Sequence, residues 1–213
     1  LGEQLRTPAF NETDLENLQK RLIGGLKRSK QNTRTRASGE FKRTLYPKKH
    51  PNYSSEIDDI IADVKKVSTK NLKSFHETNY GLGNMRIVVV GDVDNNAISK
   101  ALKHAFKNWK KSKLFIPDLT LSANDAGPKT HYVTVKDKTS VDMFMGVPIG
   151  IDNTHEDYYS LIVANYILGG NFAARLMQTV RDKMGLTYGV YSSIRGASNG
   201  NDGYWSVWGT FAP

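Results

Sequence analysis

Leu15, Leu18, Leu22, Ile23 and Leu26 recur at steps of three and four behind the polar start Asn11-Glu12-Thr13-Asp14. That spacing predicts an amphipathic helix running into a basic stretch, with Gly24-Gly25 weakening it near its middle. Pro47 and Pro51 then make a loop of Tyr46 to Tyr53, because each proline biases its predecessor away from helix. A boundary is expected between residues 50 and 68. Two short helices follow, one capped by Ser55 and carrying Ile57, Ile60, Ile61 and Val64, the other capped by Ser68 with Leu72, Phe75 and Tyr80.

The pattern then changes period. Asn84 to Asp94 is a β-branched apolar run closed by turn residues and reads as a buried strand. Asp94 caps a helix bearing Ile98, Leu102, Phe106 and Trp109, and a polar stretch with Pro117, Asn124, Gly127 and Pro128 leads to a strand at His131 to Val135. Another strand is expected at Val141 to Val147. A helix opens at Thr154, runs through Leu168 and breaks at Gly169-Gly170, and a further helix spans Phe172 to Met184, stopped by Gly185. Strands at Thr187–Ser193 and Gly203–Phe211, turned by Gly196 to Gly203, close the chain. This order is no regular βαβ repeat, so it predicts an α/β fold of α+β two-layer type, a mixed, largely antiparallel sheet with helices on one face.

Composition narrows the chemistry. The 213 residues include no cysteine, which excludes a disulfide scaffold, a Cys-ligated zinc site and a thiol nucleophile. No apolar run approaches the roughly 18–20 residues that span a bilayer, and Leu1-Gly2-Glu3-Gln4 has no signal-peptide pattern. A soluble piece of a longer chain is expected, with cell envelope (periplasm) and cytoplasm both open as compartments. The net charge of +9 is local: Lys20 to His50 holds eleven basic residues and one acid, leaving the remainder near neutral. Such a run attracts phosphates, but Phe41 and Tyr46 are its only aromatics. A solvated helix face, or a surface lining a negatively charged cavity, explains it more simply than nucleic-acid binding.

His50, His76, His104, His131 and His155 offer no pair four apart, the spacing by which two imidazoles on one helix face reach one zinc ion. They read as surface or capping residues. No Gly-x-Ser-x-Gly elbow is present, and Gly81-x-Gly83 precedes a strand instead of opening a helix. The informative stretch runs from Ile167 to Val190. It places Leu176 and Val180 toward the core, Arg181 in the last helical turn and Tyr188 in the following strand. A guanidinium and a phenol at such a junction could donate hydrogen bonds to a substrate carbonyl and stabilise charge developing on it. Alternatively, Arg181 complements the helix C-terminus and Tyr188 packs at a sheet edge.

Leu168-Gly169-Gly170, Arg175-Leu176 and the run Arg181-x-x-x-Gly185-Leu186-x-Tyr188 resemble the signature of the insulinase/pitrilysin (inverzincin) family of zinc metallopeptidases. Thr44 to Tyr53 resembles the loop that ends one family subdomain, Leu72 to Tyr80 its short helix and Asn84 to Asp94 its following strand. The resemblance implies a helical tail of a preceding subdomain plus basic linker at residues 1–60. It implies a C-terminal-type α/β domain at 65–213, truncated before its last helices. Family enzymes enclose a chamber between two halves. One carries zinc on an inverted His-x-x-Glu-His helix, and the other, zinc-free, supplies an arginine and a tyrosine seven residues apart. Arg181 and Tyr188 match that pair. Phe172, at the start of their helix, either packs in the core or lines the chamber and binds substrate.

The zinc motif is absent from this chain, so no cofactor is expected in it, and zinc belongs to another half in the parent chain or a partner subunit. The implied function is binding and positioning peptide for zinc-dependent hydrolysis by that half, with Arg181 and Tyr188 donating to the scissile carbonyl. A non-catalytic structural or assembly subunit of the same fold is the alternative. Zinc added to the purified chain is expected to elicit no peptidase activity in a fluorogenic-peptide assay; robust hydrolysis would contradict that.

Overall fold

The computed structural model describes residues 2–83, 85–112, 122–124, 127–198 and 200–212. Its elements in chain order are α1 (Gly2–Arg6), α2 (Glu12–Ser29), α3 (Thr33–Leu45), α4 (Ile57–Lys66), α5 (Thr69–Asn79) and α6 (Asn95–Ala105). β1 (Val141–Pro148), α7 (Tyr158–Gly169), a π-helical segment α8 (Met177–Lys183), β2 (Thr187–Arg195) and β3 (Tyr204–Phe211) complete them. They form two compact units, one of Leu1–Ile23 with Ala62–Pro117, the other of Gly24–Ile61 with Asp118–Pro213.

The first unit is helical, and its helix starts follow local chemistry. Asn11 Oδ1 accepts from the Thr13 N–H at 2.9 Å at the head of α2. Ser68 and Asn71 form a reciprocal capping box on α5, and Asp94 Oδ1 accepts from the Ala97 N–H at 2.7 Å to start α6. His76 Nε2 donates to the Leu5 carbonyl at 2.7 Å, tying α5 to α1.

The strand expected at Asn84 to Asp94 does not form. Asn84 lies outside the described residues; from Met85 onward the segment has no strand partner among them, and Val88 and Val90 are 78% and 92% exposed. His131 to Val135 is likewise not a strand, with Tyr132 91% exposed. β-propensity reports how well a side chain fits a pleated, half-buried surface, and a segment without a ladder partner has no such surface to fit. Of the polar connection, Pro117 lies outside the described residues.

The second unit is built on an antiparallel sheet in the order β1-β3-β2. Because side chains alternate across a sheet, each helix reads one parity of β3. α3 lies on the face of Phe144, Tyr204 and Trp208, where Phe41 meets both Phe144 and Tyr204 edge-on or tilted and Arg34 Cζ sits 3.4 Å above the Trp208 ring. α7 and α8 lie on the face of Trp205 and Val207: Trp205 Nε1 donates to Asn165 Oδ1 at 3.1 Å, and Met177, Val190 and Val207 form a buried cluster. The helices downstream of β1 thus share one face, and α3, from the segment read as a preceding tail, covers the other. α7 begins at Tyr158, four residues after the expected Thr154, because the Thr154 N–H and hydroxyl both donate to Asp152 Oδ1 in a local turn.

A buried polar knot fixes the proline loop. Asn52 N–H donates to His50 Nδ1 at 3.0 Å, which leaves the Nε2–H to donate to Asp202 Oδ1 at 3.0 Å. Tyr46 stacks on the imidazole at 4.2 Å, and burial together with the Asp202 charge keeps its phenol protonated far above the ordinary range. His50 is therefore buried, 3% exposed, not a surface or capping residue.

Gly169 lets α7 approach β2: a Cβ there would stand 2.6 Å from Ser192 Oγ and 2.7 Å from the Ser192 backbone nitrogen. Gly169→Ala is expected to destabilise the fold by roughly 1–3 kcal/mol, and Met177→Ala, at a fully buried position, by about 2–5 kcal/mol. Both are measured as shifts in denaturant unfolding midpoint.

Candidate functional site

β2 begins irregularly. Thr187 pairs with Phe211 and Val190 with Gly209, so three steps on β2 oppose two on β3, a bulge of one extra residue. Thr187 is buried, with its hydroxyl against the Thr210 carbonyl, and the Gly189 N–H donates back to Thr187 Oγ1 at 3.1 Å. Val190, 2% exposed, donates its N–H to Met177 Sδ at 3.3 Å. With both flanks held inward, the bulge turns Tyr188 outward, 86% exposed. Bulges commonly re-aim a side chain beside a functional site.

The preceding helix is widened at the same place. Gln178 N–H bonds the Ala174 carbonyl four residues back, but Met184 N–H reaches Thr179, five back, and Leu186 N–H reaches Val180, six back. Such π-helical turns are rare and recur at functional sites. Gly185, at φ +64°, allows the chain to reverse into β2 where a side chain would be strained. Leu176 and Val180 pack against the Met177–Val190–Val207 cluster, in keeping with their apolar spacing.

This junction brings together all three residues singled out in the sequence. Arg181 Cζ lies over the Tyr188 ring at 5.2 Å and over the Phe172 ring at 4.6 Å. The Arg181 side chain is 28% exposed and its Nη1 is 3.6 Å from Asp182 Oδ1, beyond hydrogen-bond length. Among the described residues its guanidinium donates no hydrogen bond, so its in-plane N–H groups are available to an acceptor. Phe172 is 59% exposed, which overturns its core alternative: its ring contacts a cation at the surface. An exposed phenol and a guanidinium held against aromatic faces suit an oxygen acceptor such as a peptide carbonyl. The bulge, the π-turn and the aromatic seating of Arg181 went unread in the sequence. Gly189 inside a strand pattern was the available signal for the bulge.

Four of the five histidines have neighbours of their own. His50 is committed to Asp202, His76 to a backbone carbonyl, His131 to Glu40 at 3.2 Å, and His155 lies by Asp157 at 3.8 Å. Among the described residues no three His, Asp or Glu side chains converge to hold a metal ion. No helix among them is long and apolar enough to cross a membrane.

Residues 66–213 match the family model described as the peptidase M16 inactive domain. A non-peptidase homolog of Helicobacter pylori is 24% identical over 191 residues, 90% of this chain and 43% of that protein. An uncharacterized zinc protease of Streptomyces coelicolor is 30% identical over 64% of this chain and 30% of that protein. Among solved structures, the peptidase M16 inactive domain of Pseudomonas fluorescens superimposes with a TM-score of 0.78 at 26% identity, covering 99% of this chain and 50% of that one. Pitrilysin shares the fold, with a TM-score of 0.53 at 18% identity over 99% of this chain and 23% of that one. The chain therefore spans half or less of the length of these relatives. With the family model covering the sheet, α7, α8 and the Arg181–Tyr188 junction, the chain belongs to the M16 inactive domains of the insulinase/pitrilysin peptidases.

Proposed function

We propose that this domain binds and positions a peptide for hydrolysis by a zinc-bearing half located elsewhere in the parent chain or on a partner subunit. The observation that carries this reading is the convergence of Arg181 and Tyr188 at the bulged, π-widened junction. On this reading a peptide carbonyl oxygen accepts from an Arg181 N–H and from the Tyr188 hydroxyl. As negative charge develops on that oxygen in the transition state, both bonds strengthen, because a more negative acceptor attracts its donors more strongly and one of these donors is cationic. The domain contributes no attacking group and no metal ligand in this scheme; activation of water would belong to the zinc-bearing half.

A second reading is favoured by the H. pylori relative, which is described as a non-peptidase homolog: the domain serves as a structural or assembly partner of the same fold. The two readings differ at Arg181 and Tyr188. In the complete zinc-bearing assembly, Arg181→Ala or Tyr188→Phe is expected to lower kcat/KM for a fluorogenic peptide by about 10²–10³, with the unfolding midpoint preserved. Unchanged turnover in both variants, or no hydrolysis by the intact assembly with zinc present, would favour the structural reading.

A further inference from the structure

We infer that Phe172 is a positioning residue, whose ring holds the Arg181 guanidinium beside Tyr188; its use in peptide binding rests on the reading above. The turn that carries Phe172 is tied on both sides. Asn171 Nδ2 donates to the Tyr166 carbonyl at 2.8 Å, Ala173 N–H donates to Asn171 Oδ1 at 2.8 Å, and Gly170 N–H caps α7 on the Asn165 carbonyl at 3.0 Å. A ring mounted on a fixed turn and left 59% exposed is not there to fill the core. Its face is instead 4.6 Å from Arg181 Cζ, nearer than the 5.2 Å to Tyr188.

The geometry has a chemical consequence. A cation–π contact engages the guanidinium without consuming an N–H, since the attraction is to the ring face and not to a lone pair. Asp182, adjacent in sequence, forms a long ion pair with Arg181 Nη1 at 3.6 Å, beyond hydrogen-bond length, so it too consumes no donor. Phe172 thus holds the charge in place and leaves its hydrogen-bonding capacity unspent.

The test uses the full-length protein, with Arg181 Nε–H assigned by its loss in Arg181→Ala. That proton is expected to show a nuclear Overhauser contact to the Tyr188 ring. Phe172→Leu is expected to lose the contact and Phe172→Tyr to retain it, with unfolding midpoints unchanged. A contact that persists undiminished in Phe172→Leu overturns the proposal. In the zinc-bearing assembly, Phe172→Leu is expected to lower turnover of fluorescein-labelled casein about two- to fivefold, and to have no effect in the Arg181→Ala background. Equal losses in both backgrounds also overturn it, because they would mean that Phe172 acts independently of Arg181. If Arg181→Ala alone leaves turnover unchanged, the peptide-positioning reading fails, and the Overhauser contact to Tyr188 by itself still decides the role of Phe172.

Discussion

Everything distinctive about the Arg181–Tyr188 junction depends on one contact: the burial of Met177 against Val190 and Val207. Met177 is fully buried and accepts the Val190 N–H on its sulfur, so the first turn of α8 is fastened to β2 by apolar area and by a backbone bond. Full burial of a side chain of this kind is worth about 1.5–3 kcal/mol. That fastening sets where the helix must end and where the strand must begin. The widened π-turn, Gly185 in the left-handed region and the bulge at Tyr188 all lie within the short stretch between these anchors. Each accommodates a chain whose two ends are already fixed.

The basic segment acquires a different meaning once it is folded. Arg34 covers Trp208, whose indole N–H donates to Asp142, and Arg43 pairs with Glu40 at 2.8 Å and Glu56 at 3.1 Å while only 15% exposed. Lys30 reaches Asp58 at 2.7 Å. Several of the charges that make this stretch conspicuous are thus used to seat α3 on the sheet and to hold the loops beside it. The exposed pairs among them contribute little individually. The arginine over tryptophan is different in kind, because its stem and planar head cover aromatic surface as well as carrying charge.

What could be read from the sequence divides along local and non-local physics. The starts of α2, α5 and α6, the break at Gly169-Gly170, the stop at Gly185 and the closing pair of strands were legible, since each is set by residues within a few positions of one another. The meeting of Arg181 with Tyr188 was legible through their spacing and their resemblance to a family signature. The strands expected at 84–94 and 131–135 were misread because β-branched composition does not specify a partner, and a strand is defined by one. His50 was misread for a similar reason: its partner Asp202 is 152 residues away.

The sequence by itself determined helices α2 and α4 to α6, the caps of α5 and α6, the turn glycines and the residue types at the junction, because those follow from backbone preference and side-chain chemistry over one or two turns. Only the tertiary structure decided that Phe172 faces a cation instead of the core, that Tyr188 points outward, and that α3 and α7 take opposite faces of one sheet. Those outcomes depend on register and on which surfaces meet. A single-residue bulge is enough to reverse the face a side chain occupies, and no local preference fixes where that residue is inserted.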